Sequence, residues 1–137
     1  MVLGFKKQFV DKILSGSKIH TIREDPKNRW KWPNVIHFAT GVRTKNYHQF
    51  KEGQCKSVQE IQMFWYRRDF ETIFRVYIDG KSFGTIVINK GHEDNPIITG
   101  DLEALALNDG FDSLEEFMKW FKDDFKGKLI HWTDKKY

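Results

Sequence analysis

Apolar residues near the start of the chain follow a helical spacing. A short strand is predicted from Met1 to Lys6. A short helix is predicted from Gln8 to Leu14, with Phe9, Ile13 and Leu14 on one side. Gly16 follows, and glycine readily takes the left-handed backbone conformation that ends helices. We therefore expect the helix to end there and a new element to begin.

The pattern becomes alternating after this glycine. The residues from Lys18 to Arg23 include two isoleucines and a threonine, a composition typical of a strand. Successive side chains on a strand point to opposite faces. One face then carries Ile19, Thr21 and the arginine, and the other carries His20 and Ile22.

Alternation also predicts the strands in the middle of the chain. Strands are expected from Val35 to Thr40 and from Lys56 to Met63. The clearest pair runs from Thr72 to Ile78 and from Ser82 to Ile88, on either side of Asp79-Gly80. An Asp-Gly dipeptide suits a hairpin turn with positive φ, so these two strands are predicted to pair.

The last third of the chain returns to helical spacing after a loop predicted from Asn89 to Gly100. A helix from Asp101 to Asn108 is expected to have Asp101 as its N-cap. A second helix, capped by Asp112 or Ser113, is expected to end at Gly127 and to be followed by a strand from Leu129 to Thr133. Its predicted core stripe is Leu114, Phe117, Trp120, Phe121 and Phe125. Helices and strands together predict an α+β protein.

Length and composition set limits on the protein class. The chain has 137 residues, which fits one domain, and no apolar run of membrane-spanning length or signal-peptide type, so we expect a cytoplasmic protein that does not enter a membrane. The single cysteine excludes an internal disulfide and a multi-cysteine zinc site. The five histidines lack ligand spacing, and the His92-Glu93-Asp94 cluster has no distant ligands to complete it. We therefore predict no metal and no cofactor.

The positive charge of the chain is unevenly distributed. The net charge is +4, and ten lysines and arginines lie between Lys12 and Lys56 against the acids Glu24, Asp25 and Glu52. Such a basic segment suits a polyanionic partner such as RNA. Oligomeric state is left open by the sequence.

Three groups of side chains in this basic segment are candidates for binding. Lys18, Thr21 and Arg23 bring an ammonium, a hydroxyl and a guanidinium together, which can hold an anion or a polar heterocycle, although basic residues on a strand are often only solvated. A loop interleaves Trp30 and Trp32 with basic residues, as in proteins that stack on single-stranded nucleic acid, or else anchors itself by a tryptophan. Arg43 and Lys45 belong to a third loop that either binds or is simply solvated.

Ordered motifs over nearly the whole chain carry a family resemblance. The segment Phe9…Ile13-Leu14…Gly16-x-Lys18-x-x-Thr21-Ile22-Arg23, together with Asp109-Gly110-Phe111-Asp112-Ser113-x-Glu115-Glu116-Phe117 and the final Ile130-His131-Trp132, resembles ASCH domains of the PUA-like superfamily. The resemblance implies a single ASCH domain over residues 1–137, with a PUA-like mixed β-barrel and flanking helices. It also implies binding of RNA or nucleotides. One bacterial branch of the family hydrolyses 4-acetylcytidine.

That branch also implies roles for individual residues. Lys18 and Thr21 match its catalytic lysine and its nucleophilic threonine. Asp109 stands where the branch has a glutamate, and its side chain is one methylene shorter. Arg23 would hold a carbonyl or a phosphate.

Three functions therefore follow from the sequence. The first is an RNA- or nucleotide-binding domain with Arg23, Trp30, Trp32, Arg43 and Lys45 as ligand-binding residues. The second is an amidohydrolase of a 4-acetylcytidine-like nucleoside, with Lys18, Thr21 and Asp109 as catalytic residues. The third is a protein–protein interaction module, which would show no affinity for nucleic acid.

Overall fold

Two sheets and three short α-helices form the protein, with strands dominating. The computed structural model describes every residue from 1 to 137. In chain order the elements are β1 (Val2–Gly4), α1 (Val10–Ser15), β2 (His20–Arg23), β3 (Val35–Thr40), β4 (His48–Gln54), β5 (Ser57–Arg67), β6 (Glu71–Ile78), β7 (Lys81–Asn89), β8 (Ile97–Gly100), α2 (Leu102–Asn108), α3 (Leu114–Trp120) and β9 (Phe125–His131). The predicted α+β class is confirmed at this level. None of the helices has the length and the apolar composition needed to span a bilayer.

The strand order places the motif strand against the last strand of the chain. The smaller sheet has the order β1-β3-β4, with β1 parallel to β3. The larger sheet has the order β2-β9-β5-β6-β7-β8 and is antiparallel throughout. In it Thr21 is opposite Ile130 and Arg23 is opposite Lys128. The first and last parts of the chain are therefore joined directly in one sheet.

Two turns predicted from local sequence signals are confirmed. Asp79 and Gly80 have φ angles of 51° and 76° between β6 and β7. Gly16 has φ 85° and ends α1, which is preceded by a 3₁₀ turn over Lys7–Phe9. In that first helical segment Phe9 and Ile13 are buried, but Leu14 is 55% exposed, so its predicted place on the buried side is wrong.

Three strand predictions need correction. β4 was not expected, because its sequence HQFKEGQ is mostly polar and its strand lies at the edge of the small sheet. β8 lies within the segment predicted to be a loop and pairs with β7 from Ile97 to Gly100. β5 continues to Arg67, four residues past its predicted end, since β6 pairs with it along that length.

The second predicted helix is shorter than expected. Ser113 does cap α3, and its Oγ accepts a hydrogen bond from the N–H of Glu116 at 3.2 Å, but Asp101 makes no side-chain cap to α2. α3 ends at Trp120, and Gly127 lies inside β9 rather than at a helix end. A Cβ at Gly127 would lie 2.5 Å from the Arg23 carbonyl oxygen, so the close approach of β2 requires glycine here.

Aromatic side chains make up much of the core. A cluster of 22 buried residues joins the helices to both sheets, and it includes Phe38, Phe74 and Phe117 with no exposed surface. From the predicted stripe, Phe117 and Phe121 are buried and Leu114 and Phe125 pack against the cluster. Trp120 is instead 45% exposed, because its ring covers the edge of the core beside Phe9 and Phe111.

Candidate functional site

Lys18 and Asp109 meet in the interior although they are 91 residues apart in the chain. The Lys18 ammonium donates to the backbone oxygen of Asp109, and its Nζ lies 3.4 Å from the carboxylate Oδ1. Lys18 is 2% exposed and Asp109 is 3% exposed. The structure thus brings together the two motifs that the sequence analysis singled out.

Backbone contacts position this pair. The N–H of Ile19 donates to the carbonyl of Asn108 at 2.9 Å, which fixes the start of β2 against the end of α2. Gly110 follows Asp109 with φ 92°, and a Cβ built on it would lie 2.7 Å from Cδ of Lys18. The aliphatic stem of Lys18 therefore packs against a position that has no room for a side chain.

The surroundings of the Lys18 ammonium are mostly apolar. Its Nζ lies 4.9 Å from the centroid of the Phe9 ring and 5.7 Å from that of Phe5. Burial lowers the pKa of Lys18, and the nearby carboxylate of Asp109 opposes that shift without cancelling it. A lysine with a lowered pKa gives up its proton more readily than one at the surface.

Thr21 and Arg23 lie on the same face of β2, as the alternation predicted. The Arg23 Nε donates to Thr21 Oγ1 at 3.2 Å, and its terminal nitrogen donates to the Gly4 carbonyl. The guanidinium also lies 4.9 Å from the centroid of the Phe5 ring. Because Thr21 Oγ1 accepts this bond, its own O–H proton remains available to a ligand or a base.

All four of these side chains line one pocket of about 290 Å³. Its other walls are largely aromatic and consist of Phe5, Phe9, Phe111, Trp120 and Phe121 together with Gly4, Lys6 and Ile22. Four larger surface cavities, of about 350, 490, 530 and 610 Å³, contain none of the four polar residues. The polar groups of the motif therefore converge on one aromatic-walled pocket.

The other predicted ligand-binding residues do not line this pocket. Trp30 is half-buried and packs against the core, whereas Trp32 is 66% exposed. Arg43 and Lys45 are exposed in the turn after β3. That turn does pass close to the pocket, since a Cβ on Gly4 would lie 2.9 Å from Cγ2 of Val42.

A buried histidine that was not predicted as a site residue lies behind Asp109. The His20 Nδ1 is 3.0 Å from Asp109 Oδ1, and its Nε2 is 2.6 Å from the Tyr137 hydroxyl. Alternation correctly placed His20 on the face opposite Thr21, which is why it contacts Asp109 from outside the pocket. No local sequence signal connects it with Tyr137.

Comparison of the chain with protein-family models, curated proteins and solved structures finds no match. No three side chains of His, Cys, Asp or Glu cluster as a metal site would require.

A second buried histidine, His131, predicts a loss of stability in acid. Burial, and next the nearby His20, lower the pKa of His131 from 6.5 to about 4. Between these two values the unfolded chain binds the proton and the folded protein does not, so stability falls as pH falls from 6.5 to 4, by up to about 3 kcal/mol.

Urea unfolding at several pH values measures this loss. The His131→Phe variant should show a shallower decline across the same interval, whatever its stability at neutral pH. Parallel curves for the two proteins would contradict the assignment of the decline to His131.

Proposed function

We propose that the chain is an ASCH-type, PUA-like domain whose pocket binds the base of a nucleoside or nucleotide. The ordered motif from Phe9 to Arg23 and the segment after Asp109 support the family assignment. The observation that carries the function is the convergence of Lys18, Thr21, Arg23 and Asp109 on one aromatic-walled pocket.

The size and the walls of the pocket favour a small planar ligand. About 290 Å³ is close to the lower end of ligand pockets, which are roughly 300 Å³ and larger, and it accommodates a single heterocycle rather than a length of polymer. Rings such as Phe5 and Phe111 offer apolar contact to a base. The ammonium, hydroxyl and guanidinium offer donors to its ring nitrogens and carbonyl oxygens.

RNA is compatible with this pocket if a single base enters it. Trp32, Arg43 and Lys45 are exposed outside the pocket and available to stack on neighbouring bases or to contact phosphates. The turn that carries Arg43 approaches the pocket through Val42 and Gly4. We assign these residues to the flanking strand of a bound RNA, not to the base in the pocket.

A second candidate is hydrolysis of an amide on the bound base. The observation that favours it is a buried lysine of lowered pKa in the same pocket as a threonine hydroxyl. The Thr21 oxygen would attack the acyl carbon while the neutral amine of Lys18 accepts its proton. The resulting ammonium would return that proton to the leaving amine, and water would then hydrolyse the threonyl ester.

Arg23 and Asp109 have supporting roles in this reaction. Arg23 donates to Thr21 Oγ1, which orients the oxygen and favours its deprotonation. Asp109 is shorter than the glutamate of the acetylcytidine-hydrolysing branch. Its backbone oxygen accepts from the Lys18 ammonium and its Oδ1 lies 3.4 Å from Nζ, so Asp109 holds this amine in the pocket with the shorter side chain.

Incubation with 4-acetylcytidine, followed by chromatography for cytidine, separates the candidates. For the hydrolase we expect wild-type turnover and at least a thousandfold loss in Thr21→Ala, because the nucleophile is absent. Binding of the nucleoside, measured by calorimetry, should change little in that variant. Thr99→Ala is the matched control, since Thr99 is exposed on β8 at the far edge of the sheet.

Each other outcome has a defined meaning. Nucleoside binding without turnover supports a binding domain, and a titration with single-stranded RNA across salt concentrations would then measure the phosphate contribution. Absence of both nucleoside and RNA binding by folded protein contradicts the proposal. It would leave the third function considered above, a protein–protein interaction module.

A further inference from the structure

We propose that Asn108 and Tyr137 are positioning residues that fix the hydrogen-bond direction at His20, with a proton on its Nδ1, so that His20 orients the carboxylate of Asp109 towards Lys18. The inference deepens the proposed function and rests on it, because it concerns the same site. It assigns a purpose to a buried polar chain that lies outside the pocket.

The hydrogen-bond chain links four side chains: Asn108, Tyr137, His20 and Asp109. Asn108 Nδ2 is 3.0 Å from the Tyr137 hydroxyl, which is 2.6 Å from His20 Nε2. His20 Nδ1 is in turn 3.0 Å from Asp109 Oδ1, the oxygen nearest to Lys18. His20 has no exposed surface, so its hydrogen-bond partners are protein groups and not bulk water.

The direction of these bonds follows from what each group can donate. An ionised carboxylate only accepts hydrogen bonds, so His20 Nδ1 must carry a proton to contact Asp109. In a neutral imidazole Nε2 is then an acceptor, and the Tyr137 O–H donates to it. The Asn108 amide N–H donates to the Tyr137 oxygen, which completes a chain in which every donor points towards Asp109.

Tyr137 is held firmly enough to impose this direction. Its backbone N–H donates to Gln59 Oε1 at 2.9 Å, and its carbonyl oxygen accepts from Gln59 Nε2 at 2.8 Å. Its ring packs edge-on against Phe83, with the centroids 5.3 Å apart. Burial raises the pKa of Tyr137 to about 12, so the phenol keeps its proton at neutral pH.

The consequence concerns the charge next to Lys18. If His20 carried two protons, its imidazolium would share the negative charge of Asp109 with the Lys18 ammonium. The donor direction imposed through Tyr137 disfavours a proton on Nε2, because the Tyr137 O–H, whose other partner is the Asn108 amide N–H, would then lack an acceptor. His131, which faces the His20 ring at 5.3 Å between centroids, is neutral above pH 4 and adds no competing charge.

Nitrogen-15 spectroscopy of the His20 ring tests the inference without any ligand. At pH 7 the wild type should show a protonated Nδ1 and an unprotonated Nε2. In Tyr137→Phe the Nε2 resonance should move, because its donor is absent. Tyr77→Phe is the matched control, because the Tyr77 ring packs on Phe64 and is not part of the hydrogen-bond chain. This substitution should leave both resonances unchanged.

A variant of reversed polarity sharpens the test. In Asn108→Asp the new carboxylate accepts from the Tyr137 O–H, which turns the hydroxyl oxygen into an acceptor for His20 Nε2–H. We expect a proton on Nε2 in this variant. An imidazolium or an Nε2–H tautomer in the wild type, or an unchanged His20 spectrum in Tyr137→Phe, would overturn the inference.

Ligand measurements test whether the hydrogen-bond chain affects binding or turnover in the pocket. Tyr137→Phe should weaken 4-acetylcytidine binding or turnover roughly tenfold, at the lower end of what loss of an outer hydrogen-bond partner costs in metal sites. Tyr77→Phe should leave it unchanged. If the wild type binds neither this nucleoside nor single-stranded RNA while the His20 spectra respond as expected, the proposed function fails and the tautomer assignment stands. Unchanged ligand binding in a Tyr137→Phe protein with altered spectra would overturn the positioning role.

Discussion

Replacement of Gly110 by alanine is expected to destabilise the protein by about 3 kcal/mol and to remove ligand binding with it. Gly110 has φ 92°, which an L-residue adopts only with strain. The added Cβ would also lie 2.7 Å from Cδ and 3.1 Å from both Cβ and Cγ of Lys18. Relief of that clash requires Lys18 to leave Asp109, so stability and binding should be lost together. Urea unfolding and calorimetry with the nucleoside measure the two effects.

Gly91→Ala separates the two causes of this loss. Gly91 has a similar φ of 84°, but a Cβ built there meets no atom within 4 Å. Its replacement should therefore cost only the backbone strain, about 1 kcal/mol, and leave ligand binding intact. Equal losses of stability in the two variants would show that packing against Lys18 contributes nothing.

The double variant Lys18→Met, Asp109→Asn is expected to be at least as stable as the wild type and to bind ligand at least a hundredfold more weakly. The pKa of Lys18 is lowered because the free-energy cost of burying its ammonium exceeds the favourable electrostatic interaction with Asp109. Replacement of a buried ion pair by well-packed hydrophobic residues is often neutral or stabilising, by roughly 1 to 4 kcal/mol, and Met with Asn keeps the volume of this pair without its charges. The pair would then be retained for function at a cost in stability.

The single variants should behave differently from the double variant. Each leaves one buried polar or charged group without its partner, and each should lose about 3 kcal/mol in urea unfolding. The exposed pair Lys119–Glu115, at 3.3 Å on α3, is the control, and its double replacement by Met and Gln should change stability by less than about 1 kcal/mol. A double variant at Lys18 and Asp109 that is several kcal/mol less stable than wild type would mean that the pair mainly holds the fold together.

The features that the sequence predicted correctly are those with a local physical cause. The Asp79-Gly80 turn, the helix end at Gly16 and the cap at Ser113 each depend on residues only a few positions apart. β4 and β8 could not be predicted in the same way. β8 exposes both Ile97 and Ile98 and exists because β7 offers it hydrogen bonds, a partner that no local pattern specifies.

In the candidate site too, the features with a local cause could be predicted and the long-range contacts could not. Alternation on β2 placed Thr21 and Arg23 on one face, and their shared hydrogen bond agrees with it. The pairing of Lys18 with Asp109 came from motif resemblance, since nothing in the spacing of the two residues indicates contact. The contact of His20 with Tyr137 spans 117 positions and depends on how the segment after β9 packs beside β5. That packing is a property of the whole core.

The separation of Lys18 from Asp109 has a consequence for folding. The first quarter of the chain carries three of the four polar pocket residues, but Asp109 and the ring walls Phe111, Trp120 and Phe121 belong to the last quarter. Closing so long a loop costs entropy before its contacts form, so these contacts are expected late in folding. A nascent chain released from the ribosome as far as β7 would carry the motif in solvent, with Lys18 at its ordinary basicity. Ligand binding would therefore report that the segment after Asp109 has been synthesised and has folded against the motif.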